Sequence, residues 1–151
     1  MDWRYLAGFF DGEGNIHINF IKNGKYLQMV CRIYSSERLV IEEIQKFLGF
    51  GKVYQKRNGK NNIIYEFVMS KKENVNHFLE NITAFLILKK PLAEYVLRNY
   101  NFERSINKGF NIENFRSCIK RKNAEKLRKV LNKRDLLFTE QLSNTPGFYP
   151  L

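Results

Sequence analysis

The chain has 151 residues, 44% of them hydrophobic and 15% aromatic, which is enough apolar material for a real core and too much for wholesale disorder. It carries 26 Lys and Arg against 15 Asp and Glu, and the resulting net charge of +11 favours a polyanionic partner. Two cysteines outside any metal-type spacing, no signal-like start and no bilayer-length apolar run together predict an intracellular protein in a reducing compartment, with no membrane partner.

Asp2 is placed to cap a helix over about Trp3–Asp11. This helix holds the most informative stretch of the chain, Leu6-Ala7-Gly8-Phe9-Phe10-Asp11-Gly12-Glu13-Gly14. Gly8 and Gly12, four apart with Ala7 beside them, leave a helix surface almost bare of side chains, so a second backbone can approach closely. Asp11 and Glu13 fall at the negative end of the helix dipole, at a cost of roughly 0.3–1 kcal/mol per charge unless a cation offsets it. A metal ion is the obvious cation; capping or solvation of the helix end is the alternative.

The helix is expected to stop at Gly12-Glu13-Gly14. Asn15–Phe20 then alternates polar and apolar residues as a half-buried strand does, and Asn23-Gly24 marks a hairpin turn. The return strand, Tyr26–Tyr34, places Leu27, Met29, Cys31 and Ile33 on one face and Tyr26, Gln28, Val30, Arg32 and Tyr34 on the other. Ser35 or Ser36 caps a helix over about Glu37–Leu48, with Leu39, Ile41, Ile44, Phe47 and Leu48 apolar and Gly49-Phe50-Gly51 as its stop. A second hairpin pairs Lys52–Arg57 with Asn62–Ser70, where Tyr65, Phe67 and Met69 oppose Ile64, Glu66 and Val68. Helices follow over about Lys72–Ile82 and Pro91–Tyr100. From Asn111 onward the sequence reads as helical and basic, and Arg104–Arg134 holds eleven Lys and Arg against Glu113 and Glu125.

The order helix, hairpin, helix, hairpin, helix predicts an α+β fold with one four-stranded antiparallel sheet and C-terminal basic helices. It reads as a single domain over residues 1–141, with a core of 1–100, a basic helical extension of 101–141 and a tail of 142–151. The polar strand positions His17, Asn19, Gln28, Arg32, Tyr54, Lys56 and Glu66 hydrogen-bond well without being purely charged, which suits base edges in a major groove. Basic helices beside such a sheet suit phosphates, although a solvated helix face has the same composition.

The nine-residue motif and the element order over roughly Trp3–Tyr100 resemble the LAGLIDADG homing endonucleases. With one motif copy, the resemblance implies a homodimer packed through Ala7, Gly8, Asp11 and Gly12, and a long, roughly palindromic double-stranded DNA target. It implies cleavage by divalent-metal-dependent phosphodiester hydrolysis, with Mg²⁺, or Mn²⁺ or Ca²⁺ in its place, on the Glu13 carboxylate and the Gly12 carbonyl. Asp11 is read as structural, ending the helix and bonding nearby backbone. The family carries a lysine after a Phe-Leu-x-Leu stretch. Here Phe85-Leu86-Ile87-Leu88 leads to Lys89, with Lys90 adjacent as an alternative. Where relatives place a solvent-holding glutamine and then an arginine, this chain has Ser35 and, more loosely, Arg38.

The matching DNA-reading positions are Asn15, His17, Asn19 and Ile21, then Tyr26, Gln28, Val30, Arg32 and Tyr34, and in the second hairpin Tyr54, Lys56, Ile64, Glu66 and Val68. Arg32 suits guanine, Asn19 and Gln28 adenine, and Val30 and Ile64 thymine methyls. His77 is expected at the surface or the core edge. No small-molecule substrate is implied, and the abundance of Asn, Lys, Ile and Phe fits a bacterial or organellar coding sequence. Rival readings are an intron RNA-splicing maturase and a non-catalytic DNA-binding regulator of the same fold.

Overall fold

A computed structural model describes residues 1–21 and 26–100, without the side chains of Phe20 and Tyr26. The basic extension 101–141, the tail 142–151 and the Asn23-Gly24 turn lie outside the described residues. Helix α1 (Trp3–Glu13) starts where Asp2 Oδ1 accepts the Tyr5 N–H at 2.8 Å. It runs through Glu13, two residues past Asp11 and inside the predicted Gly12-Glu13-Gly14 stop, and Gly14 then closes it by donating its N–H to the Phe10 carbonyl. The chain passes at once into β1 (Gly14–Ile21). Only glycine fits at this junction, because a Cβ on residue 14 would lie 2.1 Å from the Phe10 ring.

β2 (Tyr26–Ser35) returns and leads to α2 (Arg38–Leu48), which ends on Gly49 in the left-handed conformation with φ of 73°. The helix start differs in detail from the expectation. Glu37 occupies the cap position without a side-chain bond, and Ser35 Oγ instead accepts the Glu37 N–H at 3.0 Å, one turn earlier. β3 (Lys52–Arg57) and β4 (Ile63–Met69) form the second hairpin, where Asn58 Oδ1 accepts the N–H groups of Lys60 and Asn62. α3 (Lys72–Ile82) has the predicted bounds, and a single 3₁₀ turn, Thr83–Phe85, follows it. α4 (Lys90–Asn99) closes the described chain.

The four strands make one sheet in the order β1-β2-β4-β3, with β2–β4 and β3–β4 antiparallel. Ile33 lies opposite Phe67 and Cys31 opposite Met69, so these residues share the apolar face. Tyr34 and Tyr54 both lie opposite Glu66 on the other face. The architecture is the α+β fold the element order predicts.

The chain divides into two compact units. In the first, Met1–Asn19 with Gln28–Lys90, the core holds Leu6, Ala7 and Phe10 of α1, Ile33 and Phe67 of the sheet, and Phe78 of α3, all with no exposure. Phe10 and Phe78 meet edge-on with centroids 5.0 Å apart, worth about 0.5–1.5 kcal/mol beyond the area they bury. Trp3 sets its ring edge-on against Phe47 at 5.0 Å and His77 at 5.7 Å, which tethers the start of α1 to α2 and α3. His77 and Phe47 are the exposed members of that cluster, and His77 also meets the Phe50 ring edge-on, at the edge of the core. In the second unit, Phe20–Leu27 with the chain from Pro91, α4 buries Leu92, Ala93, Tyr95 and Val96, and the Tyr100 hydroxyl donates to the Leu27 carbonyl at 3.0 Å. Among the described residues, no helix is long and apolar enough to cross a membrane.

Candidate active site and nucleic-acid interface

The last turn of α1 and the turn Ile87–Lys89 are bonded into one piece by Asp11. Its Oδ2 accepts the N–H groups of Ile87 at 2.6 Å and Leu88 at 3.1 Å, and its Oδ1 accepts that of Lys89 at 2.9 Å. Three donors converge on one carboxylate that is 9% exposed, so the group is held as an anion-binding turn holds its ion. This bears the structural reading of Asp11 and carries it further: the bonded partners are 76 to 78 residues away along the chain. The same turn returns the contact. Lys89 Nζ donates to the Asp11 carbonyl at 2.5 Å, a cation at the negative end of the helix, and lies 5.9 Å from the centre of the Phe10 ring.

Glu13, at the tip of α1, is exposed. The carbonyls of Gly12 and Glu13 fall beyond the last helical bond and have no partner further along the helix. Among the described residues, no three His, Cys, Asp or Glu side chains cluster to hold a metal; the tip of α1 offers one exposed carboxylate, Glu13, beside backbone carbonyls. Such a sparse set of hard oxygens suits Mg²⁺, which keeps several waters and takes the rest of its shell from phosphate. The residues present therefore fit a divalent ion completed by substrate.

Ser35 and Arg38 are committed locally. The Ser35 hydroxyl accepts the Glu37 N–H, and Arg38 pairs with Glu42 one turn along α2 at 2.6 Å, which raises the pKa of its guanidinium further. Ser35 thus serves as a turn cap and Arg38 as half of a helix-surface pair.

Two of the four residues expected at a helix–helix interface face inward. Ala7 has no exposure, because at a helical step of about 100° it stands about 60° from buried Phe10 and about 40° from buried Asp11, on the inward side of the helix. The outer stripe holds Tyr5, Gly8, Phe9 and Gly12. There Tyr5 and Phe9 stack at 6.2 Å, and a Cβ added at either glycine would meet nothing within 4 Å. Tyr5 is 52% exposed and, in the turn bonded to Asp11, Ile87 is 82% exposed.

On the polar face of the sheet, Asn15, His17, Asn19, Gln28, Arg32, Tyr34, Ile64 and Val68 are half-buried, and Ile21, Tyr54 and Lys56 are exposed. The Tyr26 side chain lies outside the described residues. Two positions depart from the expectation that they meet DNA. Val30 is 2% exposed, a short side chain on an interior strand, and Glu66 is 1% exposed. Glu66 is framed by Tyr34 and Tyr54 directly opposite and ion-paired with diagonal neighbours on both flanking strands, Lys56 through Oε2 and Arg32 Nε at 3.5 Å through Oε1. At 3.5 Å the second pair attracts without hydrogen-bonding, so Arg32 Nε and Glu66 Oε1 are both buried and unsatisfied. Asn15 Oδ1 is a third buried acceptor without a partner. Orphans of this kind cost about 1–3 kcal/mol each. Alternation correctly put Glu66 on this face; its burial comes from the register of three strands, which no local pattern displays.

Cys31 is buried on the opposite face as a free thiol, and burial pushes its pKa up, so it is inert.

Comparison with known proteins gives a consistent picture. The model of the LAGLIDADG endonuclease family matches residues 6–97. No curated protein sequence matches the chain. Among solved structures, the homing endonuclease I-CvuI, in complex with its target in the presence of Ca, aligns at a TM-score of 0.56 and 20% identity over 99% of this chain and 85% of its own. The archaeal intron-encoded homing endonuclease I-Vdi141I, complexed with DNA, aligns at 0.52 and 22% over 93% and 92%. The meganuclease I-AabMI, bound to uncleaved DNA, aligns at 0.61 and 20%, and the whole of this chain spans 52% of it.

Proposed function

Because this chain belongs to the LAGLIDADG endonuclease family, we propose that it is a site-specific double-strand DNA endonuclease, acting as a homodimer on a long, roughly palindromic target. The observation that carries this reading is the Asp11 clamp, which fixes Lys89 Nζ at the end of α1 while Glu13 stands exposed at its tip. The Glu13 carboxylate and the Gly12 carbonyl would hold a divalent ion, which would supply charge neutralisation at the phosphate and a more acidic water. Lys89 keeps a positive charge where negative charge develops on the scissile phosphate. The bare stripe of Gly8 and Gly12 lets a second copy of α1 pack closely, so that one Glu13 serves each DNA strand. The polar sheet face reads bases, and the surrounding cations hold phosphates.

The test is selection of cleaved sites from a randomised DNA library with Mg²⁺, followed by cleavage and binding assays on the selected duplex. Glu13→Gln should abolish cutting and leave binding largely intact, with affinity falling steeply as salt rises. A Glu13→Gln variant that cuts normally overturns the assignment. A wild-type protein that never cuts DNA but binds a structured intron RNA replaces this reading with the maturase.

A further inference from the structure

Resting on that reading, we propose that Glu66 is a specificity-determining residue that never touches DNA: it aims Arg32 at a base and withholds Arg32 and Lys56 from phosphates.

A buried anion on the face that meets a polyanion needs a reason. Glu66 opposes the long-range attraction that the +11 chain has for DNA, and apolar residues fill the comparable interior positions of the opposite face. Its position gives the reason. Residue 66 lies on an interior strand, directly opposite Tyr34 and Tyr54, and its cations come from the two diagonal positions, Arg32 on β2 and Lys56 on β3. The row across three strands is cation, anion, cation. The anion is 1% exposed, whereas the Arg32 side chain retains 30% and Lys56 retains 56%.

The atoms involved matter. Arg32 approaches the carboxylate through Nε, and a guanidinium held on that side is oriented with its remaining N–H groups available for the paired acceptors of guanine. A bare arginine on a flexible stem would instead take whichever phosphate is nearest, which gains affinity and carries no sequence information. The carboxylate also acts against wrong sites. Where no base accepts the arginine, Glu66 holds it, so non-specific binding lacks two cations that would otherwise release counterions. The 3.5 Å gap between Arg32 Nε and Glu66 Oε1, both buried and neither satisfied, leaves the pair short of its best geometry in the free protein. Closing that gap on a matched base gives the correct sequence an interaction that the wrong one does not receive.

The experiment compares base preference, at every position of the selected duplex, for the wild type, Glu66→Gln, Arg32→Lys, Arg32→Ala and the Arg32→Ala/Glu66→Gln double variant. Glu66→Gln should lose about tenfold or more of its discrimination at one base pair in each half-site. It should also bind random DNA more tightly, with a steeper salt dependence. Arg32→Lys, which leaves Glu66 in place, should relax the same base pair. In the Arg32→Ala background Glu66→Gln should change nothing further at that pair, since the two act as one unit. Thermal melting tells a positioning role from a structural one: tighter random-DNA binding counts for positioning when Glu66→Gln melts cooperatively near the wild-type temperature, because an unfolded basic chain also binds random DNA. An unchanged preference in Glu66→Gln, or relaxation at the same pair with Arg32 already removed, overturns the proposal and leaves the endonuclease reading standing. A wild type with no preferred site at all overturns the endonuclease reading itself.

Discussion

The end of α1 and the polar sheet face both carry a buried acidic side chain, and they treat it in opposite ways. Asp11 takes three backbone N–H groups at 2.6–3.1 Å, while Glu66 reaches Arg32 only at 3.5 Å and leaves one oxygen without a hydrogen bond. Backbone donors cannot rotate away, so the Asp11 clamp has a single arrangement. Side-chain cations can swing out, so the Glu66 cluster has several. Chemistry on a phosphodiester is the same at any sequence and benefits from a fixed frame. Reading a sequence requires groups that hold when the base fits and release when it does not.

Variants can break this contrast, and the largest effect is expected at Asp11. Asp11→Ala leaves three part-buried N–H groups without their acceptor, while the residue 11 carbonyl that Lys89 Nζ reaches is kept, so urea unfolding should show a loss of about 2–4 kcal/mol. A loss below about 1 kcal/mol would mean that water replaces the carboxylate and that the frame is not rigid. Gly14→Ala comes next. The new methyl meets the Phe10 ring beneath the same helix end, and the expected cost is about 1–3 kcal/mol in the same unfolding assay. Tyr54→Phe, on the sheet face, is the smallest. The residue is 45% exposed, and stability should stay within about 0.5 kcal/mol of wild type by thermal melting. A large drop there would show the sheet face to be as tightly specified as the helix end.

Much of this architecture is legible in the sequence because it depends on short periods. The bounds of α3 follow from its 3.6-residue stripe, and the two faces of β2 and β4 follow from alternation. Asp2 as a cap and Gly49 as a stop are equally local. What escapes is whatever needs two distant segments at once. Nothing near Asp11 shows that its partners are the N–H groups of Ile87 to Lys89, and nothing near Glu66 shows that Arg32 and Lys56 converge on it from different strands. Ala7 is a different case. Its smallness suggests a bare outer surface beside Gly8, yet the helical step counted from Phe10 and Asp11 already turns it inward. The late end of α1 has a steric origin, since Gly14 and the Phe10 ring share one small space.

The placement of Trp3 also makes the molecule self-reporting. It is the only tryptophan in the chain, and it stands on the first residue of α1 with Phe47 of α2 and His77 of α3 against its ring. Its ultraviolet emission therefore records, from one indole and without any attached dye, whether the three helices of the first unit are docked. Every unfolding curve proposed above can be followed at that wavelength. Light absorbed at residue 3 reports on a helix whose far tip is the candidate cutting edge.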